Sequence, residues 1–303
     1  MKILITGNMG YVGPGIVAQL RRAFPKAELI GYDTGAFAHA LTNVDFLPER
    51  NLDAQHFGDV RNIPAHLLEG LNVIIHLAKA EPAAFPEIDA ISTLRLAEMA
   101  KQAGVQHFID PYGPAAIETE SELQALADDN FHVTLLQFGT ACGMTDRLRL
   151  DLILNEFVLQ AITDGQILVP GDANDCISLI HVKDLARVIT WAVGRAEINN
   201  EPFLSLQAGA SDWTYRRSEL AGIVAELVPG TLVICLDVPQ AKCVPPFDFS
   251  QFQTLAAAHQ PRYTIKQTIL ELYAGLLEMG IGHNAFDPAV FRRTDPITSL
   301  EEV

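Results

Sequence analysis

The stretch "KILITGNMGYVG", residues 2–13, constrains this chain more than any other. An apolar run of strand length stops at Gly7. Gly10 and Gly13 follow at intervals of three, and helical spacing of apolar residues begins there. Each glycine answers a different need: Gly7 a tight turn, Gly10 the approach of a pyrophosphate to the backbone, Gly13 close packing of helix on strand. The helix start would offer unbonded N–H groups and roughly half a positive charge to phosphate oxygens. Met9, Tyr11 and Val12 complete the turn and are read with it as ligand contacts. Three glycines alone are a weak signal; their position between a strand and a helix makes it specific.

Strand patterns recur at "KILITG", "ELIGYD", "AQHFGD", "NVIIHLA", "QHFID" and "VTLLQFG", separated by helical patterns at 11–22, 63–68, 88–103 and 118–127. In the third of these, Ile91, Leu94, Leu96, Ala97 and Ala100 share helical spacing, and Gly104 supplies a stop. Such alternation predicts an α/β class: a Rossmann-type, doubly wound parallel sheet with helices on both faces. After Gly143 the pattern changes. "DRLRLDLILNEFVLQAITDG" reads as one long helix, "ISLIHVKDLARVITWAV" and "PFLSLQAG" return to the first unit, and the rest forms a smaller discontinuous α/β unit. The expected division is 1–143 with 177–210 for the cofactor, 144–176 with 211–283 for the substrate, and a tail, 284–303, running over the surface.

A formal net charge of −16 over 303 residues argues against nucleic acid and anionic membrane surfaces as partners. No stretch is apolar over the roughly 20 residues a membrane helix needs. The apolar run at the N-terminus ends at Gly7, too early for a secretory leader, so a cytoplasmic protein is expected. Cys142, Cys176, Cys235 and Cys243 lack ligand spacing and are read as incidental thiols in a reducing compartment; no metal site is predicted.

Asp33 ends the second strand, twenty residues beyond Gly13, where an acid can accept from adenosine ribose hydroxyls. A 2′-phosphate there would meet a carboxylate, and no arginine closely follows, so NAD is favoured over NADP. Asp59 and Val60 in "GDVRN" fall where an adenine amino group would lie, and Leu77, Ala78 and Lys79 in "HLAKA" end the fourth strand beside the dinucleotide path. Each of these also has a plain reading as a turn residue.

Together, Gly7, Gly10, Gly13, Asp33, "GDV", "HLA", "LLQFGTACG", "LRLDLILNEFV" and "IHVKDLARV" resemble the extended short-chain dehydrogenase/reductase family, in its group of NAD-dependent nucleotide-sugar epimerases and dehydratases. The resemblance runs from Met1 to about Leu277. It implies bound NAD, transient hydride transfer, a homodimer built on the helices 88–103 and 118–127, and a catalytic tyrosine activated by a lysine four residues later. Here that pattern is broken. "YGPAAIETE" places Tyr112 at the tyrosine but Ala116 at the lysine, whereas anchoring on the strand "HFID" places Tyr112 near the family's assisting Ser/Thr; Ile177 stands where the family has an arginine. Lys79, at the end of strand four, is the candidate replacement cation beside Tyr112; a solvent-facing lysine is the plain alternative.

On the substrate side the resemblance implies a contact role for Asn155, with Arg147, Arg149, Arg216 and Arg217 as candidate diphosphate partners. His181 and Asp184 match a signature that joins the two units. Three readings stay open: a nucleotide-sugar epimerase or dehydratase, a related enzyme on another small substrate, and a non-catalytic NAD-binding protein.

Overall fold

The computed structural model describes residues 1–79, 86–113, 119–170, 175–195, 201–235, 247–281 and 287–293. The first half of the chain runs β1 (Lys2–Thr6), α1 (Gly13–Ala23), β2 (Glu28–Asp33), β3 (Ala54–Phe57), β4 (Val73–His76), α2 (Pro86–Gln102), β5 (His107–Tyr112), α3 (Glu120–Leu126) and β6 (His132–Phe138). It continues through β7 (Thr140–Cys142), α4 (Ile153–Thr163), β8 (Gln166–Leu168), β9 (Cys176–His181), α5 (Val182–Arg195) and β10 (Phe203–Ala208). The last elements are β11 (Thr214–Arg216), α6 (Arg217–Leu227), β12 (Leu232–Ile234), α7 (Ser250–Leu255) and α8 (Ile265–Glu278).

Seven strands form one sheet in the order β10-β6-β5-β4-β1-β2-β3, with every neighbouring pair parallel. This is the doubly wound Rossmann arrangement the sequence predicts. Alternation along the strands explains why both faces are covered. Ile3, Ile5 and Ile75 pack with Ile16, Leu20, Ile189 and Trp191 of α1 and α5, while Leu4, Ile74 and Phe108 pack with Leu96, Ala97 and Leu123 of α2 and α3. A further core joins Leu154, Phe157 and Val158 of α4 to Ile269 and Leu272 of α8 and to Trp213, and it reaches Tyr11 in the glycine turn. α8 starts cleanly because Thr264 accepts from the Gln267 N–H while the Gln267 side chain accepts from Thr264 N.

Three local expectations are corrected. The long helix predicted from Asp146 begins only at Ile153, because the N–H of Leu148 is given to Ala40 O and that of Leu150 to Phe291 O. The alternation of buried Leu148 and Leu150 is strand-like, and the chain follows it. The helical pattern at 63–68 resolves into short 3₁₀ turns at Val60–Asn62 and Ala65–Leu68, too short to propagate an α-helix. Among the cysteines, Cys142 and Cys235 are free thiols but Cys176 is disulfide-bonded; Cys243 lies outside the described residues.

At the amino ends of β5 and β6 sits a buried polar group. His107 Nε2 lies 2.7 Å from Thr134 Oγ1, and Arg195 donates to the same hydroxyl. Burial first, then the Arg195 cation and His132, push the His107 imidazole down to about 3. It is neutral in the native state at ordinary pH. No helix among the described residues is long and apolar enough to cross a membrane.

Candidate functional site

The strand order reverses between β1 and β4, and the crevice at a sheet's carboxyl edge opens at such a point. The glycine turn fills the β1 side of it. Gly7 has φ 70°, a left-handed conformation, and a Cβ there would lie 2.5 Å from Ala78 N. A Cβ on Gly13 would meet the carbonyl oxygen of Asn8 at 2.1 Å. Both positions therefore exclude any side chain. Gly10 differs: its nearest neighbours are Gly7 O and Arg293 Nη2, each 3.3 Å from the place a Cβ would take. α1 then starts with Pro14 in its first turn, without a capping side chain and without an acidic residue there. Those are the conditions under which a helix start receives an anion.

Asp33 holds the turn from the β2 side. Its Oδ2 accepts from Met9 N at 2.9 Å and its Oδ1 from Gly35 N at 2.8 Å. Each carboxylate oxygen has a second lone pair, so ribose hydroxyls can still be accepted. Asp59 is engaged differently. Both its oxygens accept from the Arg61 side chain, which holds the carboxyl below the usual range, and Oδ1 also accepts from Arg61 N as the cap of the Val60 turn.

Lys79 points inward to a partner the sequence reading had not named. Its Nζ lies 2.7 Å from Asp110 Oδ1, with the lysine side chain 32% exposed and the aspartate fully buried. Among the described residues, Asp110 Oδ2 has no hydrogen-bond partner. Burial pushes the Asp110 carboxyl up, and Lys79 opposes that shift. His76 lies below, with Nδ1 2.8 Å from Thr6 Oγ1 and Nε2 3.1 Å from Thr93 Oγ1; burial, then Lys79, keep it well below its ordinary value. Tyr112 closes the same edge on β5. Burial first, then Glu120, push its hydroxyl up to about 12 against a hydrogen bond with the Ser205 side chain. The ammonium of Lys79 thus serves Asp110, and Tyr112 has the electrostatics of a neutral phenol. Ala116 lies outside the described residues.

The substrate-side candidates are all engaged within the protein. Asn155 accepts from Gly143 N at 3.1 Å and donates to Tyr11 Oη at 2.9 Å and Arg149 O at 2.8 Å. Tyr11 in turn donates to Gly143 O at 2.6 Å, so this buried set ties the glycine turn to the second core. Arg147, 1% exposed, forms a two-pronged pair with Glu49 at 2.5 and 3.1 Å. Arg149 pairs with Asp151 at 2.9 and 3.0 Å. Arg216 and Arg217 face Glu219 and Asp175 at 3.9 and 4.0 Å. His181 stacks on Tyr263 at 3.8 Å and bonds Glu271 at 2.7 Å, while Asp184 accepts from Arg262 N and Tyr263 N, so this signature joins α5 to the chain leading into α8.

A cleft beside the turn is lined by Met9, Gly10, Phe37, Arg147, Arg149 and Arg293. Asp110 at the strand edge and Arg293 in this cleft were not foreseen from the sequence, for different reasons. Asp110 left a signal, a charge inside an apolar strand. Arg293 left none, because it follows a segment without periodicity.

This architecture has solved counterparts. An NAD-dependent NDP-hexosamine 5,6-dehydratase of tunicamycin biosynthesis superposes with a TM-score of 0.71 at 16% identity, covering 91% of this chain and 98% of its own. A UDP-glucose 4-epimerase from Stenotrophomonas maltophila, solved with NAD and formylated UDP-arabinopyranose, gives 0.71 at 16%, covering 92% and 99%. A dTDP-glucose 4,6-dehydratase from Streptomyces venezuelae, solved with NAD, gives 0.70 at 17%, covering 92% and 97%. The chain shares the fold of these NAD-dependent epimerases and dehydratases. Neither a protein-family model nor a curated relative matches the sequence. The stretch joining β5 to β6 spans residues 113–131 and, among its described residues, carries one short helix, α3.

Proposed function

We propose that this protein binds NAD in the glycine-lined crevice and uses it for transient hydride transfer on a nucleotide sugar, as an epimerase or dehydratase. The observation that carries the reading is the turn itself. Gly7 and Gly13 admit no Cβ, Gly10 has Gly7 O and the tip of Arg293 3.3 Å from its missing Cβ, and Asp33 is fixed beside them at the topological switch point. The residues fit a dinucleotide: N–H groups at the start of α1 for the diphosphate, Asp33 for the ribose, Ala78 and Lys79 along the path to the nicotinamide. When bound, NAD supplies the hydride acceptor and donor.

The chain's own contribution is proton handling by Lys79 and Asp110. Lys79 Nζ lies 2.7 Å from Asp110 Oδ1, so the two groups can pass a proton between them. Lys79 gives one proton to Asp110 and takes that of a substrate hydroxyl as the adjacent C–H hydride leaves and a carbonyl forms. The reverse transfer returns both. Tyr112, neutral near pH 7, serves as a hydrogen-bond donor at the same edge. Asp59 and Val60 border the adenine end. A homodimer through α2 and α3 belongs to the same reading, supported by the 68% exposure of Ile91 on α2.

A second reading is favoured by one observation: Arg147, Arg149, Arg216 and Arg217 all face carboxylates, and Asn155 is committed to Gly143, Tyr11 and Arg149. That suits an NAD-binding protein whose small substrate carries no diphosphate. Thermal shifts separate the two. NAD and at least one of UDP-, dTDP-, GDP- or CDP-sugars should raise the melting temperature; a rise with NAD alone selects the second reading. Lys79→Met and Asp110→Asn should each lower turnover by about 10²–10⁴-fold at saturating NAD. Wild-type turnover in both variants eliminates the pair as the acid–base.

A further inference from the structure

The described end of the chain, 287–293, lies beside the glycine turn. Asp287 caps a short 3₁₀ turn, Pro288–Phe291, by accepting from Ala289 N. Phe291 is 9% exposed within the core of α4 and α8, and its carbonyl accepts from Leu150 N at 2.7 Å. Arg292 Nη2 lies 2.9 and 2.7 Å from the two carboxylate oxygens of Glu156, with both side chains almost buried. These anchors fix the backbone immediately before Arg293. The Arg293 guanidinium stacks on Phe37 at 3.7 Å, and its Nη2 is the side-chain atom nearest the missing Cβ of Gly10, 3.3 Å away.

We propose that Arg293 is a cofactor-binding residue, taking the diphosphate of the dinucleotide from the side opposite the start of α1. The inference rests on the reading of the glycine turn as a dinucleotide site. A diphosphate approaching a protein of net charge −16 needs a local cation. Within residues 1–20 the one basic residue is Lys2, at the far end of β1 and 3.5 Å from Glu28. Arg293 is the guanidinium set against the glycine that a pyrophosphate approaches. Stacking on Phe37 uses the face of that group, whereas phosphate is bound by its edge, so the two contacts are compatible. Phe37 follows β2, so the same cation could instead meet a 2′-phosphate, and the experiment must tell these phosphates apart.

Calorimetric titration of wild type, Arg293→Ala and Arg293→Lys with ADP, adenosine, NAD⁺ and NADP⁺ does so. Arg293→Ala should weaken ADP and NAD⁺ by about 10- to 100-fold, leave adenosine unchanged, and be partly rescued by Arg293→Lys. Unchanged ADP and NAD⁺ affinities in Arg293→Ala overturn the proposal. So does an equal loss for adenosine, which would mean that the cleft has merely opened, and so does a loss confined to NADP⁺. Wild-type protein that binds neither ADP nor NAD⁺ overturns this inference together with the cofactor reading, whereas wild-type binding that survives in Arg293→Ala removes Arg293 alone.

Discussion

Gly13→Ala should lose measurable NAD binding and melt below the wild type, because the new methyl would lie 2.1 Å from the Asn8 carbonyl oxygen and 2.5 Å from its carbon. Both are backbone atoms of the same turn, so relief requires the helix to move off the strand. Overpacking of this kind costs about 1–3 kcal/mol. At about 2–4 °C per kcal/mol for domains of 150–250 residues, the shift is visible in an ordinary melt. Gly10→Ala is the informative contrast. Its methyl would meet Gly7 O and a movable arginine tip at 3.3 Å, so the melting temperature should hold while NAD affinity falls. Paired melts and titrations check both variants. A Gly13→Ala protein that melts and binds like the wild type would remove the steric basis of the site.

Acidification should destabilise the fold well above the carboxylate range. His107 is held down to about 3 from an ordinary 6.5, chiefly by burial, and His76 is also well below its ordinary value for the same cause. Between these limits the unfolded chain binds a proton at each histidine and the native chain does not. Stability is therefore complete above about 6.5 and drains as pH falls toward 3, at about 1.4 kcal/mol per pH unit for each proton. Against a total of about 5–15 kcal/mol, two such groups matter. Chemical denaturation at a series of pH values measures the slope. Substituting His107 with Asn should reduce the slope by about one proton; an identical slope in the variant would count against a neutral buried imidazole.

What the sequence discloses depends on how local the controlling physics is. The glycine turn is legible because its chemistry is backbone chemistry: no other residue fits at Gly7 or Gly13, whatever surrounds them. The sheet is legible because strands buried on both faces leave continuous apolar runs between helical patterns. Arg147 shows the limit. Its type suits a diphosphate, yet its fate is decided by Glu49, 98 positions away, and no spacing rule announces that pair. Asn155 likewise spends its amide on Gly143, Tyr11 and Arg149. Residues 146–152 carry helical composition, but their N–H groups find carbonyls in Ala40 and Phe291, partners that exist only after folding. Lys79 is an intermediate case. Its place at the strand end could be read, and its commitment to Asp110 could be suspected only from an acid inside "HFID".

The two tryptophans fall in different cores, Trp191 of α5 with α1 against the large sheet, Trp213 among α4, α6 and α8. Each indole therefore emits from one half of the molecule. Phenylalanine at either place would turn intrinsic fluorescence into a separate gauge of the other half, showing directly whether the two melt as a single cooperative unit or one after the other.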